Sequence, residues 1–412
     1  MMKLLDRNLD RGLAFAVLAM LVIGVVMIHS ASYGENIESS DFWLRQAAWA
    51  LISVLAIIGI INIPVKYIYA FAYVVYGAML FCLFFVEIAG VSAGGSERWL
   101  RLGPIRFQPS EFMKIAVILA LARYLSFKKN RPSGYVKSFI PGFFIIIPLG
   151  LVLHQPDLGT SLILFAVIFP MLYWAGLDSR RLFFLIAPFL SAVFAAPFIP
   201  WFNWVTWAVF MFCILGLLYF SRYSLSAMGL ILGTNILAGI ATPIAFSRLK
   251  PYQQERITTF INPEADPLGA GYQILNSKVA IGSGGVFGKG IGNGKYTEMG
   301  FLPRAHTDFI FSIVGEELGF AGAVLVLGLF SYVVYRGMMI AASMRNQFMS
   351  LAAVGISAVF VFHVYVNVGM VIGLMPVTGK SLPFLSYGGS SCIANAVMIG
   401  LLLNFSVNRH DF

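Results

Sequence analysis

Residues 247–308 read SRLKPYQQERITTFINPEADPLGAGYQILNSKVAIGSGGVFGKGIGNGKYTEMGFLPRAHTD, and they stand apart from everything around them. The stretch carries seven lysines and arginines, with aromatics, prolines and glycines at intervals. The rest of the chain is mostly long apolar runs. Hydrophobic residues make up 59% of the chain and charged residues 11%, against about 25% charged in a soluble domain. Such a chain is an all-α polytopic membrane protein, because in lipid a helix satisfies its own backbone N–H and C=O groups. Residues 1–412 are expected to form a single integral membrane domain, with 247–308 as a large loop within it. A polar loop this long on an embedded scaffold is where function concentrates.

A spanning helix needs roughly 20 apolar residues. That places spans near 13–32, 43–62, 67–89, 110–126, 139–154, 159–176, 182–199, 203–220, 226–246, 309–335, 351–374 and 388–407, twelve in all. Lys3, Arg7 and Arg11 put the N-terminus in the cytoplasm, and the cluster Lys128, Lys129, Arg131 and Lys137 then falls on the same side. An even helix count returns the C-terminus to the cytoplasm. Residues 247–308 therefore face outward, where chemistry proceeds without ATP. No cleavable signal peptide is expected, since Leu13 to Ser32 is long enough to span.

Several function classes drop out. Cys82, Cys213 and Cys392 lie in apolar runs and suggest neither a disulfide framework nor a metal cluster. The net charge of +10 is read as cytoplasmic loop charge against anionic lipid headgroups, so membrane lipids and not nucleic acid are the expected partners. Thr378-Gly379-Lys380-Ser381 resembles the tail of a phosphate-binding loop, but Leu374 stands where the first glycine is required. The seven glycines of 282–294 never fall as G-x-G-x-x-G, so no nucleotide is expected.

Three further polar pieces fall on the outer side. SAGGSERWLRLGPIRFQPSEFMK (92–114) interleaves Arg98, Arg101 and Arg106 with Trp99 and Phe107. Ser110 is expected to cap the next helix, with Glu111 and Lys114 on one of its faces. HQPDLGT (154–160) offers Asp157 as a helix cap. MPVTGKSLPFLSYGGSS (375–391) reads as a re-entrant or tightly folded loop, which at membrane depth must be buried in protein. Inside the spans polar residues are sparse, and His363, Asn367 and Asn395 are expected to hydrogen-bond between helices.

Five motifs carry a resemblance. DPLGAGYQ followed by Lys278 and IGSGGVFGKG, FLPRAHTDFIFSIVGEELG, QPDLGTSL, RWL with QPSEFMK, and PFLSYGGSS closely resemble the SEDS family (shape, elongation, division, sporulation). They cover the chain from about residue 92 to its end. DPLGAGY with SKVAIGSGG looks like the family's elongation members. The resemblance implies a bacterial inner-membrane peptidoglycan glycosyltransferase that polymerises lipid II, a disaccharide-pentapeptide on undecaprenyl diphosphate. It also implies a class B penicillin-binding protein as transpeptidase partner. Family members typically have ten spans, so this chain is expected to carry an extra pair within 182–246.

Glycan formation needs a base for the attacking hydroxyl and cations for the leaving diphosphate. Diphosphate leaves without protonation, so the carboxylate pair of a glycoside hydrolase is not required. The resemblance makes Asp266 the catalytic carboxylate, as base, as ligand of a divalent cation (Mg or Mn), or as both. It places Glu111 and Lys114 in the outer cavity. Arg98, Arg101, Arg248, Arg256, Lys278 and Lys289 are the candidates for holding diphosphate. Asp157, His306, Asp308 and Glu316 are expected to shape the loops, with Asp308 capping a helix that begins at Phe309. The alternatives are a lipid II flippase, which would need cations along a membrane-crossing groove, and a non-catalytic scaffold.

Overall fold

A computed structural model of the chain describes residues 9–32, 41–93, 96–103, 105–130, 135–196, 204–221, 223–249, 251–265, 271–298, 301–302 and 305–409. A helix lies at each of the twelve expected spans. They are α1 (Arg11–Ala31), α2 (Phe42–Asn62), α3 (Val65–Ala89), α4 (Pro109–Ser126), α5 (Tyr135–His154), α6 (Leu158–Trp174), α7 (Ser179–Phe194), α8 (Trp204–Phe220), α9 (Leu225–Ser247), α14 (Gly319–Ser343), α15 (Gln347–Val371) and α16 (Gly389–Val407). The large loop adds α10 (Pro251–Ile261), α11 (Tyr272–Ser283), α12 (Lys295–Glu298) and α13 (Ile310–Glu317). Seven of these helices are long and apolar enough to cross a membrane, and shorter apolar helices cover 140–154, 158–174 and 204–220.

α15 and α16 are the most enclosed spans, and α2, α3 and α9 are among the least. Lipid supplies no hydrophobic drive between helices, so packing and polar contacts hold the bundle. α16 lies against α2, α14 against α15, and α15 against α4 and α6. One apolar core runs through these helices. A smaller one, Phe184, Ala187, Ile214, Leu218 and Ile231, joins α7, α8 and α9. There the Trp207 indole donates to Ser191 Oγ at 2.8 Å, and that hydroxyl donates to the Asn235 carbonyl at 2.8 Å.

The expected span 309–335 is corrected. The helix breaks between Glu317 and Gly319, which sits at φ +67°, and then continues to Ser343. The break exists because residues 285–290 cross it. Lys289 N donates to the Glu316 carbonyl at 3.1 Å, and Phe320 N donates to the Gly285 carbonyl at 2.9 Å. These bonds replace the interrupted helical ones, as a buried backbone requires. A Cβ at 319 would collide with Gly288 N.

At one end of the bundle lies a small antiparallel sheet of β1 (Val91–Ala93), β2 (Ser96–Leu102) and β3 (Ile105–Phe107), with Leu100 opposite Phe107. The connection 372–388 is folded into the bundle at the same end. Leu382, Phe384 and Leu385 are buried, and Gly24 of α1 is so close that a Cβ would collide with the Phe384 carbonyl. The expectation of a loop buried in protein therefore holds.

Candidate active site

The four polar pieces meet at this end. α4 begins with Pro109, whose missing N–H costs nothing in a first turn. The expected Ser110 cap is corrected: Gln108 occupies the N-cap position, and Ser110 lies inside the helix, accepting from Gln108 Nε2 at 3.2 Å. Glu111 and Lys114 follow on one face, both 1% exposed. Lys114 Nζ is 2.7 Å from Glu111 Oε2 and 2.6 Å from His363 Nε2 on α15.

Asp157 caps α6 through Thr160 N at 3.1 Å, as expected, but does more. Its Oδ2 accepts from Thr160 Oγ1 at 2.8 Å and from Gln108 Nε2 at 3.4 Å. Arg98 of β2 reaches Asp157 Oδ1 at 3.9 Å, while its Nε donates to the Gln155 carbonyl at 3.0 Å. Lys380, from the folded-in connection, bridges the two carboxylates. Its Nζ is 3.0 Å from Glu111 Oε1 and 3.3 Å from Asp157 Oδ2.

Burial pushes the Asp157 carboxyl up, but Lys380, Arg98 and the Thr160 hydrogen bonds outweigh it and hold the group below its ordinary value. Burial likewise pushes Lys380 down, and Asp157 with Glu111 raises it above an ordinary lysine. Both oxygens of Glu111 are taken by ammonium groups, and both of Asp157 are hydrogen-bonded. Protonating either carboxylate would weaken its pairing with these cations and donors, so neither is a ready proton acceptor.

Glu111, Lys114 and Arg98 are thus brought together. Arg101 is exposed and bonds the Gly103 carbonyl of its own turn at 3.3 Å. Arg248 is exposed at the end of α9, and Lys278 is exposed on α11 beside Gly373. Lys289 belongs to a second cluster, 2.7 Å from Glu316 Oε1 and 2.7 Å from Ser283 Oγ. Asp266 and the Arg256 side chain lie outside the described residues; the turn Pro263–Ala265 and α11 flank the former. Asp308 is not the cap expected, since α13 starts at Ile310 with Phe309 in the N-cap position. Sequence reasoning missed Lys380, which entered only as part of a rejected phosphate loop. Its signal was a lone charged residue in an otherwise uncharged loop with two prolines.

The family model for FtsW, RodA and SpoVE, described as cell cycle protein, matches residues 11–205 and 201–411. The chain belongs to this family. The two matched segments meet between α7 and α8, inside the region where the extra pair of spans is expected. Among curated FtsW/RodA/SpoVE relatives, a probable peptidoglycan glycosyltransferase FtsW of Trichlorobacter lovleyi is 36% identical, over 96% of this chain and 93% of that protein. Stage V sporulation protein E of Bacillus subtilis is 35% identical over 96% of both. Peptidoglycan glycosyltransferase MrdB of Escherichia coli K12 is 34% identical, over 98% of this chain and 94% of that protein. A solved chain described under "Structural coordination of polymerization and crosslinking by a peptidoglycan synthase complex" superposes with TM-score 0.74 at 28% identity, over 98% of this chain and 99% of that one. The rod shape determining protein RodA of Thermus thermophilus superposes with TM-score 0.64 at 27% identity, over 98% of each chain.

Proposed function

We infer that the protein is a peptidoglycan glycosyltransferase that polymerises lipid II on the outer face of the bacterial cytoplasmic membrane, with both termini in the cytoplasm. The observation that carries this reading is end-to-end similarity to glycosyltransferases, with no large part of either chain left unmatched. The DPLGAGY wording favours a role in elongation and rod shape. The likeness to a chain of a peptidoglycan synthase complex supports a class B penicillin-binding protein as the crosslinking partner.

In this reading Asp266 takes the proton of the attacking sugar hydroxyl. The buried network supports that assignment, because Glu111 and Asp157 are already engaged. Arg98 is the cation of the network that keeps some exposure, with its side chain 18% accessible. It is the network's assigned contact for the leaving diphosphate, where charge develops in the transition state. Arg101, Arg248, Arg256, Lys278 and Lys289 are the outer-loop groups proposed to guide the diphosphate in. An Mg or Mn ion would need ligands beyond Asp266. Among the described residues no group of three or more His, Cys, Asp or Glu forms a metal site, so no step is assigned to a metal.

The test is glycan polymerisation from lipid II by the purified wild type and by Asp266→Ala, with and without partner and divalent metal. Wild type lengthens strands and the variant does not. Full polymerisation by the variant would refute the assignment of Asp266. Translocation of lipid II in vesicles without polymer would instead favour a flippase.

A further inference from the structure

Lys380 stands at a crossing that charge balance alone does not demand. Glu111 already has Lys114 at 2.7 Å, and Asp157 has Arg98 at 3.9 Å. With Lys380 the group holds three cations on two carboxylates, and Lys380 is only 4% exposed. A buried ammonium is unfavourable unless its geometry recovers the lost hydration. What Lys380 adds is connection. Among the described residues it is the one cation in contact with both carboxylates, joining the first turn of α4 to the N-cap of α6.

Its main chain is held separately. Asn367 of α15 donates to the Lys380 carbonyl at 2.6 Å and to the Asp308 carbonyl at 3.0 Å. A Cβ on the preceding Gly379 would lie 3.4 Å from Asp308 Oδ2. One residue thus links α4, α6, α15 and the end of the polar stretch 247–308.

Gly159 is an independent sign that this path is built. A Cβ there would collide with Lys380 Cγ and lie 2.9 Å from Cε and 3.0 Å from Cδ. Moving Cγ clear would take a rotation about χ1, which would carry Nζ away from Glu111 and Asp157. The first turn of α6 is left bare where the lysine stem passes.

We propose that Lys380 is a positioning residue for glycosyl transfer: it clamps α4 and α6 to the 372–388 connection and, through Asn367, sets the end of the stretch that carries Asp266. The proposal rests on the glycosyltransferase reading above. It assigns Lys380 no contact with substrate, because the ammonium is enclosed and both its anionic partners are protein groups.

The experiment uses the full-length protein on lipid II, with rates measured across lipid II concentration and Tm measured on the same samples. Lys380→Met keeps the stem and removes the charge; Lys380→Ala removes both. Each lowers kcat about tenfold or more while KM stays within about twofold, the pattern of an interaction used in the transition state and not in binding. Gly159→Ala lowers Tm in the wild-type and Lys380→Met backgrounds and is silent in Lys380→Ala, where the new methyl has room. Wild-type kcat in Lys380→Met, or a raised KM with kcat preserved, overturns the positioning role. Additive Tm losses for Gly159→Ala and Lys380→Ala overturn the threaded path. If the wild type makes no polymer, the glycosyltransferase reading falls, and the Tm cycle still judges the clamp.

Discussion

Replacing Lys114 with Met tests the buried network where it joins α4 to α15. The apolar stem is retained, so the change is mainly loss of an ammonium. Two groups are left short: Glu111 Oε2, 2.7 Å from Nζ, and His363 Nε2, 2.6 Å from it. Breaking a buried ion pair from one side costs about 3–5 kcal/mol. The lower end applies here, because Glu111 keeps Lys380 at 3.0 Å. The orphaned imidazole nitrogen adds about 1 kcal/mol. The sum, about 4 kcal/mol, corresponds to a fall in Tm of about 8 °C at about 2 °C per kcal/mol. The assay is thermal unfolding in detergent, followed by the fluorescence of the seven tryptophans. Glu111→Gln with Lys114→Met should lose less than the two singles summed, by about 1–3 kcal/mol of coupling. A Tm within about 2 °C of wild type for Lys114→Met, or strict additivity in the double variant, would show that the two groups do not pair.

Other outcomes follow from the same geometry. Arg98→Ala should reduce polymerisation far more than Arg101→Ala, because Arg98 joins β2 to the Asp157 turn and Arg101 bonds only its own turn among the contacts described; equal effects would argue against this. Lys289→Met should speed hydrogen exchange of residues 289–296 about tenfold, since Lys289 and Tyr296 N both hold Glu316 Oε1, at 2.7 Å and 3.1 Å; unchanged exchange would show that the loop is held otherwise. The Asp157–Lys380 pair sets a pH window. A depressed carboxyl contributes stability above its unfolded pKa and loses it as pH falls through the folded value. A raised lysine contributes below its unfolded pKa and loses it as pH rises through the folded value. The Tm gap between wild type and Lys380→Met should therefore be flat from about pH 5 to pH 9 and narrow below about pH 4. A gap that widens in acid would contradict the pairing.

Much of the fold was legible because hydropathy is a local sum. Apolar residues avoid water wherever they sit in the chain, so a helix could be expected at each of the twelve positions from its own sequence, though the start of the one at 309–335 was misplaced. The glycines and prolines of 375–391 announced irregular backbone, and burial of Leu382 and Phe384 follows from the need to hide it from lipid. The break at Leu318–Gly319 was not legible, because its cause is a loop thirty residues earlier crossing the helix. Asp308 met the composition rule for an N-cap, but Phe309 takes that position because α13 begins one residue later than expected. The site was half legible: Glu111 and Lys114 share a helical face by spacing, but nothing local pairs Glu111 with Lys380 or Lys114 with His363.

By itself the sequence determined that the chain is a bundle of membrane-spanning helices, that its polar pieces gather on one side, and which family motifs they carry. Tertiary structure alone decided which charges meet. Lys380 and Glu111 are 269 residues apart, and their 3.0 Å contact exists because α15 packs against α4 and α6, with Gly159 leaving a path for the lysine stem. An apolar span is specified by its own residues, whereas a buried ion pair is specified by the position of two backbones that only the assembled bundle brings together.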